Sequence, residues 1–257
     1  MTDPRVTLAH QLVAEWERQQ EVYIAHREVR FELMLDVIDR LAPRTDGALR
    51  VVDLACGPGS ATERVLRRFP EAEVVSIDLD PLLLELGRLH QSEAERQPTW
   101  LHGDLRDPAW IGQLPHPTYD AVVSTTALHW LTGAELSALY ELVRGLMAPG
   151  GVFLNGDYLP ATRPHGTIAR AVRDIGVDRE RTAVAAGALD WKTWWERVRA
   201  EESLAAEVAA HDEVFKDRRE HESPSRAFHL AALREAGFRE VDLVWHDLAE
   251  GLVCAVL

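Results

Sequence analysis

The stretch VVDLACGPGSATERVL, from Val51 to Leu66, decides the fold. Its first residues are apolar and rich in valine, as in a buried strand, and they include Asp53. Gly57 and Gly59 then form a turn, and a helical pattern follows. A glycine turn between a strand and a helix lets backbone N–H groups and the positive helix end approach a polar ligand closely. The stretch therefore predicts a nucleotide-like cofactor at this turn.

Strands and helices alternate on both sides of this stretch, which predicts right-handed crossovers and a mostly parallel sheet with helices on both faces. Before it, apolar residues at steps of three or four predict one long or two shorter helices. The last two strand-like runs, REVDLVWHDL and GLVCAVL, are joined by a short link and should pair as an antiparallel hairpin. The expectation is an α/β, doubly wound sheet of seven strands.

The same pattern divides the chain into four segments. Residues 1–45 are expected to form an N-terminal helical cap, and residues 46–157 the cofactor-binding core. Residues 158–223 contain helical segments without a convincing strand and are too long for a plain connection, which predicts an inserted helical lid. Residues 224–257 should complete the core with a helix and the terminal hairpin, Ser225 capping that helix and Gly237 following it.

Composition narrows the classes of partner and compartment. The formal net charge of −14 repels phosphate backbones, and no basic patch offsets it, so a nucleic-acid partner is not expected. No apolar run approaches the ~20 residues of a membrane span. With two cysteines and no signal-like start, a cytoplasmic protein is expected, as a monomer or homodimer. The eleven histidines form no ligand-spaced cluster, so no metal is expected.

Acidic residues recur where three predicted strands end. Asp53, Asp78 and Asp104 are separated by 25 and 26 positions. Because the carboxyl ends of parallel strands share one edge of the sheet, where ligands bind in open α/β folds, these acids should line one rim. Asp78 stands where a carboxylate can accept hydrogen bonds from ribose hydroxyls. Asp80 is an alternative for that role, although its position before Pro81 suits a helix cap.

These motifs together resemble the class I S-adenosylmethionine-dependent methyltransferases. VVDLACGPGSAT is similar to the first motif of that family, VVSIDLDP to the acidic motif of its second strand, and HGDLRD to that of its third. YDAVVSTTALHWL, LMAPGGVFL and LREAGF fit the same pattern. The resemblance is strong over residues 49–157 and weaker over 225–257. It implies a Rossmann-like fold and S-adenosylmethionine as cofactor.

The resemblance also implies roles for individual residues. Asp53 and the loop from Ala55 to Gly59, with Gly57, would hold the amino acid end of the cofactor, and Asp78 would bind the ribose. Asp104 would bind the adenine amino group, the Leu105 N–H the ring, and Leu79 would pack on the adenine face, core packing being the alternative for Leu79.

A nicotinamide dinucleotide is the rival cofactor. Its fingerprint requires a third glycine where Thr62 stands, and it gives Asp53 no role. The sequence therefore favours S-adenosylmethionine.

Candidate catalytic residues follow the fourth and fifth strands. Methyl transfer needs an aligned acceptor, exclusion of water and, for a protonated acceptor, a base. His129 follows the fourth strand and titrates near neutral pH, so it is the candidate base; packing around the cofactor is the alternative. Asp157 and Tyr158, with Asn155, should face the same crevice, Asp157 as a catalytic and Tyr158 as a substrate residue, unless they only satisfy a turn.

Further candidates come from the N-terminal helices and the lid. Tyr23 and Arg30, one helical face with Arg27, are candidates for contact with the cofactor, an arginine pairing with its carboxylate. Trp191, Trp194 and Trp195 share one helix face and are expected to floor an apolar pocket or to pack the lid on the core. The substrate residues of this part of the chain are His165, Trp191, Trp195 and His229.

The sequence predicts methyl transfer to a small molecule, most simply at a hydroxyl or carboxylate oxygen. The fourth strand lacks the Asn/Asp-Pro-Pro-aromatic run of nucleic-acid amino-methylation, and the pattern is similar to trans-aconitate and natural-product methyltransferases that share a helical lid. The alternatives are a tRNA- or protein-modifying methyltransferase and a protein that binds the cofactor without transferring its methyl group.

Overall fold

A computed structural model describes residues 3–44, 47–163, 165–218 and 221–257. The expected boundary between residues 45 and 46 lies outside these ranges. Seven strands form a single sheet; they are β1 (Arg50–Leu54), β2 (Glu73–Asp78), β3 (Thr99–His102), β4 (Tyr119–Thr125), β5 (Met147–Tyr158), β6 (Glu240–Asp247) and β7 (Glu250–Val256).

Nine α-helices accompany the sheet in the described part of the chain. They are α1 (Pro4–Tyr23), α2 (Arg27–Leu41), α3 (Ser60–Arg68), α4 (Pro81–His90), α5 (Gly133–Leu146), α6 (Thr167–Ala185), α7 (Trp191–Arg199), α8 (Ala205–Phe215) and α9 (Arg226–Glu235). Short 3₁₀ turns cover Pro108–Gln113, Leu128–Trp130 and Glu202–Leu204.

The strand order is β3-β2-β1-β4-β5-β7-β6. The first five strands are parallel, and β7 pairs antiparallel with both β5 and β6, which confirms the predicted mixed sheet and its terminal hairpin. The order reverses between β1 and β4, because β2 and β3 lie on one side of β1 and β4 and β5 on the other. In such sheets the crevice for a ligand opens at this reversal. Leu54 is aligned with Ser124 across it.

Buried strands give the sheet its two apolar faces. Val51, Val52 and Leu54 of β1 are fully buried and contribute alternately to clusters on opposite sides. Helices α5 and α9 cover one face, and α2 and α3 cover the other. A third cluster joins α1 to α4 and to the helices α7 and α8. This third cluster brings the N-terminal helix and the segment after β5 together over one end of the sheet.

The predicted helix termini are confirmed where the sequence carried capping residues. The Asp80 carboxylate accepts from the Leu82 N–H at 3.0 Å, and the Ser225 hydroxyl accepts from the Phe228 N–H at 3.3 Å. Gly237 has φ +97°, as expected after a helix. The N-terminal region forms two helices rather than one. His26, with φ +57°, separates them, because a left-handed residue ends the helical path.

A glycine inside α4 allows this helix to touch the glycine turn. A Cβ atom at Gly87 would lie 2.5 Å from Cη2 of Trp100 and 2.8 Å from the carbonyl oxygen of Pro58. One at Gly59 would lie 2.7 Å from the same ring atom. Trp100 and the Pro58 carbonyl therefore occupy the space that two glycines leave free. Helix α4 therefore packs directly against the glycine turn.

We expect Gly87→Ala to destabilise the protein by about 1–3 kcal/mol, although alanine favours helix, because a backbone carbonyl and a packed indole must both move. Gly176→Ala is the matched control. Gly176 is also inside a helix, but a Cβ there would meet nothing within 4 Å, so this change should stabilise the protein by about 0.5–1 kcal/mol. Urea denaturation of both variants measures the difference, and equal shifts would contradict the packing argument.

Candidate functional site

The loop after β1 has an unusual backbone. Ala55, Gly57 and Gly59 have φ of +51°, +56° and +90°, and ordinary residues alternate with them. The N–H groups of Cys56 and Gly59 donate to the carbonyl oxygens of Ile77 and Cys56, and the Gly57 N–H donates to Asp78, so these bonds fix the loop. Alanine is strained in this region, and strained residues persist where surrounding structure holds them. The loop then leads directly into the N-terminus of α3.

Asp53 lies beneath this loop with one carboxylate oxygen unsatisfied. Its Oδ2 accepts from the Thr62 N–H at 3.0 Å and from the Thr62 hydroxyl at 2.7 Å, while Oδ1 is buried without a partner. Burial raises the pKa of Asp53 to about 7, with the Asp78 charge adding to the effect and Thr62 opposing it. A buried carboxylate oxygen without a donor is costly, so a cationic or hydrogen-bonding ligand there would be stabilised.

Asp78 ends β2 and points at the loop. Its Oδ2 accepts from the Gly57 N–H at 2.6 Å, and its Oδ1 accepts from the Asp80 N–H at 2.8 Å. Each oxygen keeps lone-pair capacity for another donor. Burial raises the pKa of Asp78 to about 6, against the lowering effect of these N–H groups. The side chain is thus fixed by two backbone contacts and can accept two further hydroxyls.

Asp80, the alternative candidate for the ribose, makes different contacts. It caps α4, and its Oδ2 lies 2.7 Å from Nδ1 of His211 in α8. The ring of His211 in turn packs on Trp195, with centroids 4.2 Å apart. Asp80 therefore ties the segment after β5 to the rim of the sheet next to Asp78.

On the β3 side the predicted residues gather at the same rim. Both carboxylate oxygens of Asp104 are engaged by the Arg106 guanidinium, at 2.8 and 2.6 Å. Leu105 is buried, and Leu79 is half-buried, its carbonyl oxygen 2.9 Å from Nε2 of His102. Asp104 is held by its neighbour in the chain, so contact with an adenine amino group would require it to share or exchange Arg106.

His129 and Asp157 form a pair across the ends of β4 and β5. The His129 backbone N–H donates to Oδ2 of Asp157 at 3.0 Å, and Nδ1 lies 2.6 Å from Oδ1. The Asp157 side chain is fully buried, whereas the His129 side chain is 14% exposed. Burial alone would raise the pKa of Asp157, but His129 and His229 hold it below its ordinary value. An ionised Asp157 fixes the imidazole with Nδ1 as donor, which leaves Nε2 as the basic nitrogen.

Two further candidate residues, Tyr158 and His229, differ in their contacts near this pair. The Tyr158 ring lies edge-on to His129, with centroids 6.4 Å apart. His229 is fully buried, and its Nδ1 lies 2.6 Å from the Tyr140 hydroxyl. Burial lowers the pKa of His229, so it is neutral at physiological pH. In this arrangement His229 belongs to the core behind Asp157.

Arg30 lies in a buried charge cluster. Its side chain is 0% exposed; Nη1 pairs with Glu250 at 3.0 Å, Nη2 donates to the Thr126 hydroxyl at 2.8 Å, and Nε has no partner. A Cβ at Gly156 would lie 3.0 Å from this side chain, so glycine lets the guanidinium cross β5. Thr126, at the start of the loop to His129, has φ +56°. Arg30 therefore holds a strained turn close to the candidate base.

Helix α1 covers the glycine loop. Cζ2 of Trp16 would lie 3.9 Å from a Cβ at Gly57. The carboxylate of the next residue, Glu17, accepts from the Ser60 hydroxyl, from Arg27 at 2.5 Å and from Arg64 at 2.7 Å. Burial would raise the pKa of Glu17, but the two arginines and Ser60 lower it to about 2. This ion pair network fixes α1 to the start of α3.

The Glu17 network gives an expected pH dependence of stability. Because the folded-state pKa of Glu17 lies below its ordinary value of 4.5, its stabilisation is complete above pH 4.5 and is lost as the pH falls toward 2. The difference corresponds to about 3 kcal/mol. Urea denaturation at several pH values should show Glu17→Gln losing its deficit against the wild type in this window. Glu71→Gln, at an 87% exposed side chain, is the control. A deficit that does not change with pH would contradict the assignment.

The tryptophans of α7 contact one another, with Trp195 5.8 Å from Trp191 and 5.1 Å from Trp194 between ring centroids, but they differ in their other partners. Trp194 is buried and its Nε1 donates to the Leu12 carbonyl at 3.0 Å, while Trp195 packs on His211. Trp191 lines a cavity; it is 44% exposed, and its backbone N–H donates to the Tyr23 hydroxyl at 3.0 Å. The shared floor predicted from helical spacing is thus reduced to Trp191.

His165 is the remaining predicted substrate residue. Its side chain is 84% exposed, and its Nε2 lies 3.3 Å from a carboxylate oxygen of Glu222. Within the described ranges, no group of three or more His, Cys, Asp or Glu side chains is arranged to hold a metal ion, and no helix is long and apolar enough to span a membrane.

Sequence reasoning did not find Glu17, Glu250 or Gly87. The two glutamates act through partners far along the chain, Glu250 with Arg30 across 220 positions, and nothing near them in the sequence marks the contact. Gly87 did carry a signal, since a glycine inside a helical pattern often has a packing reason.

The site fits an adenosyl cofactor that carries an amino acid. Asp78 has free acceptor capacity beside the loop, and the buried Oδ1 of Asp53 beneath it lacks a partner. Ribose hydroxyls can donate to Asp78, and the ammonium of an amino acid end has the charge opposite to that of an ionised Asp53. The donor set therefore agrees with S-adenosylmethionine.

Comparison with known proteins agrees with this geometry. Residues 51–151 match a family profile described as a methyltransferase domain. This match agrees with the resemblance of the motifs to the class I S-adenosylmethionine-dependent methyltransferases. The matched range includes the glycine loop, Asp78 and the end of β4.

Two curated relatives show how far the similarity extends. Trans-aconitate 2-methyltransferase of Azoarcus sp. (strain BH72) is 34% identical over 137 residues, 53% of this chain and 48% of that protein. Malonyl-[acyl-carrier protein] O-methyltransferase of Halorhodospira halophila (strain DSM 244 / SL1) is 35% identical over 151 residues, 58% of this chain and 47% of that protein. The chain thus spans about half the length of these relatives.

Solved structures share the fold over more of the chain. An amino pentose methyltransferase from Micromonospora echinaspora, CalS10, has a TM-score of 0.54 at 20% identity, covering 88% of this chain and 91% of its own. DesVI from Streptomyces venezuelae has a TM-score of 0.55 at 17% identity, covering 91% and 94%. At these identities the likeness concerns the fold.

Proposed function

We propose that this protein transfers the methyl group of S-adenosylmethionine to an oxygen atom, hydroxyl or carboxylate, of a small-molecule acceptor. The observation that carries the proposal is the His129–Asp157 pair. It stands at the carboxyl ends of β4 and β5, next to the strand that bears the glycine loop. A base held beside a methyl-donor site suits an acceptor that must lose a proton.

The cofactor roles are proposed from the contacts of the chain. Asp53 and the Ala55–Gly59 loop hold the amino acid end. Asp78 accepts the ribose hydroxyls. Asp104 and the Leu105 N–H provide polar contacts to the adenine ring, and Leu79 provides an apolar contact. Tyr23, whose hydroxyl accepts from the backbone N–H of Trp191, lies at the border of the cofactor site.

The reaction then needs little from the protein beyond alignment and proton removal. When bound, S-adenosylmethionine would supply an activated methyl group, whose bond to the sulfonium sulfur breaks as the bond to the acceptor oxygen forms. Nε2 of His129 takes the acceptor proton, and Asp157 orients the ring and stabilises the imidazolium that results. Helix α1, with Trp16 over the glycine loop, excludes water from the donor side.

We propose that the four segments predicted from the sequence enclose the acceptor. Residues 1–45 act as a cap and residues 158–223 as a lid over the core of 46–157, which residues 224–257 complete. The cap and lid touch through α1 and α7, and the lid touches the rim through His211 and Asp80. Support for oxygen as the acceptor atom comes from the second relative, which is named an O-methyltransferase.

The proposal is tested by incubating the protein and cofactor labelled in the methyl group with a fractionated metabolite extract, bulk tRNA and a protein extract in parallel. We expect label in a small molecule, released by mild ester hydrolysis if the acceptor is a carboxylate. Label only in tRNA or protein would transfer the function to the macromolecular alternatives. Cofactor binding with no labelled product in any arm would favour a non-methylating protein. His129→Gln serves as the matched low-activity sample.

A further inference from the structure

A row of four aromatic side chains connects the N-terminal helix to the segment after β5. In order they are Trp16, Trp194, Trp195 and His211, and the centroids of successive rings lie 4.9, 5.1 and 4.2 Å apart. Trp16 belongs to α1, the next two rings belong to α7, and His211 belongs to α8. Nε1 of Trp194 also donates to the Leu12 carbonyl at 3.0 Å. The row therefore packs three helices into one unit.

The two ends of this row lie against the two halves of the proposed cofactor site. At one end, Cζ2 of Trp16 would lie 3.9 Å from a Cβ at Gly57 in the glycine loop. At the other end, Nδ1 of His211 lies 2.7 Å from Oδ2 of Asp80. The Asp80 N–H in turn donates to Oδ1 of Asp78 at 2.8 Å. Asp80 therefore links His211, in the proposed lid, to the proposed ribose acid.

The contact with His211 satisfies a buried carboxylate. The Asp80 side chain is 4% exposed. Its Oδ1 accepts from the N–H groups of Leu82 and Leu83, at 3.0 and 3.4 Å, so this oxygen caps α4. Its Oδ2 accepts from the His211 ring, and a buried carboxylate oxygen that loses its donor is costly. Without the imidazole, Asp80 would have to rotate or take a proton, directly beside the backbone N–H that holds Asp78.

We infer that His211 is a positioning residue for the cofactor: it holds Asp80 and thereby the ribose acid Asp78, so that docking of the lid and binding of the cofactor stabilise each other. The inference rests on the proposed ribose role of Asp78, but not on methyl transfer to any acceptor. Such coupling is reciprocal, since a lid that orders the ribose acid is itself held more firmly once the ribose is bound. His211 lies 131 positions after Asp80, outside the motifs of the cofactor site.

Two substitutions separate the hydrogen bond of His211 from the packing of its ring. His211→Phe keeps a ring against Trp195 and removes the donor to Asp80, whereas His211→Asn keeps an amide donor in the place of Nδ1 and removes the ring. In calorimetric titration, His211→Phe should bind S-adenosylhomocysteine about tenfold more weakly than the wild type, within the ~5–150-fold range of coupling between sites. His211→Asn should recover most of this loss. Glu213→Gln, at a 70% exposed side chain of the same helix, is the matched control and should bind as the wild type does.

Hydrogen exchange of the α8 amides gives a second readout, which packing of the ring alone would not produce. In the wild type, saturating S-adenosylhomocysteine should slow exchange in α8, because the bound ligand holds the lid in place. In His211→Phe the saturating ligand should no longer slow this exchange. Glu213→Gln should keep the wild-type response.

The inference is overturned if His211→Phe binds with wild-type affinity, if His211→Asn loses more affinity than His211→Phe, or if the ligand does not slow exchange in α8 of the wild type. These results are distinct from a failure of the proposed function. A large loss in Asp78→Ala beside wild-type affinity in His211→Phe would keep the ribose role and remove the coupling. Wild-type affinity in Asp78→Ala would remove the ribose role itself, and the inference with it.

Discussion

Asp78→Ala should weaken the affinity for S-adenosylhomocysteine about 100-fold or more. The wild-type carboxylate is fixed by the Gly57 and Asp80 N–H groups and keeps two acceptor positions for ribose hydroxyls. Hydrogen bonds to a charged group contribute about 1.5–3 kcal/mol each, and every 1.4 kcal/mol is tenfold in affinity. The substitution also leaves the Gly57 N–H without its acceptor, so the loop itself loses support.

Calorimetric titration measures this loss, and pH adds a second readout. Burial raises the pKa of Asp78 to about 6 in the protein without cofactor. Ribose hydroxyls donate to the ionised form, so the affinity should fall as the pH is lowered through 6. Asp78→Asn keeps one acceptor and should bind with intermediate affinity, without the part of the pH dependence that Asp78 contributes.

A surface aspartate provides the control for the Asp78 variants. Asp39→Ala removes an aspartate that pairs with Arg44 on the surface of α2, and it should leave the affinity unchanged. Thermal melting monitored by circular dichroism shows whether the Asp78 variants remain folded. A folded Asp78→Ala protein with wild-type affinity would remove Asp78 from the ribose site.

The parts of the site that the sequence predicted are those fixed by local chain geometry. The glycine loop, Asp78 and the Asp80 cap each depend on contacts within about one strand–loop–helix unit. Their roles in backbone conformation follow from residue type, because glycine tolerates positive φ and an aspartate before a proline caps a helix. The same holds for the alternation that predicted the sheet, since periodicity reports burial directly.

Contacts between distant segments could not be read in the same way. Arg30 was predicted to face the cofactor carboxylate, and its guanidinium is engaged by Glu250 and Thr126 instead, which the register of β7 on β5 brings to it. The spacing of Trp191, Trp194 and Trp195 correctly places them one turn apart. Which of them faces a cavity depends on how α7 packs on α1, and that is a property of the tertiary structure.

The candidate site depends both on local sequence patterns and on contacts between distant segments. In the proposed site, residues that are close in sequence form the donor side, from Asp53 to Asp78, whereas the His129–Asp157 pair is assembled from the ends of β4 and β5. This explains why the family could be recognised from motifs while the acceptor could not. The acceptor side is defined by packing between segments that carry no motif of their own.

His129→Gln should lower the rate of methyl transfer by about 10²- to 10⁴-fold, the usual contribution of a positioned base, and should leave the affinity for S-adenosylhomocysteine unchanged. Glutamine preserves polarity and approximate size but cannot take the acceptor proton. Because Nδ1 of His129 lies 2.6 Å from the buried Asp157 carboxylate, Nε2 is the nitrogen that remains basic.

Asp157→Asn separates proton removal from mere packing at His129. The introduced amide would retain the shape of the carboxylate but could donate to Nδ1, which would place the ring proton on Nε2 and abolish its basicity. The rate should then fall about as far as in His129→Gln, and the double variant should lose little more, because the two residues act as a unit. The assay uses labelled cofactor with the acceptor found in the extract.

His246→Gln, at an exposed histidine of β6, is the matched control and should keep the wild-type rate. If His129→Gln retained the wild-type rate while the cofactor still bound, a base at this position would be excluded, and the acceptor would have to reach the methyl group already deprotonated. A carboxylate acceptor fits that case at neutral pH, whereas a hydroxyl does not, since its pKa lies well above neutrality. The size of the His129 effect therefore decides between the two oxygen acceptors.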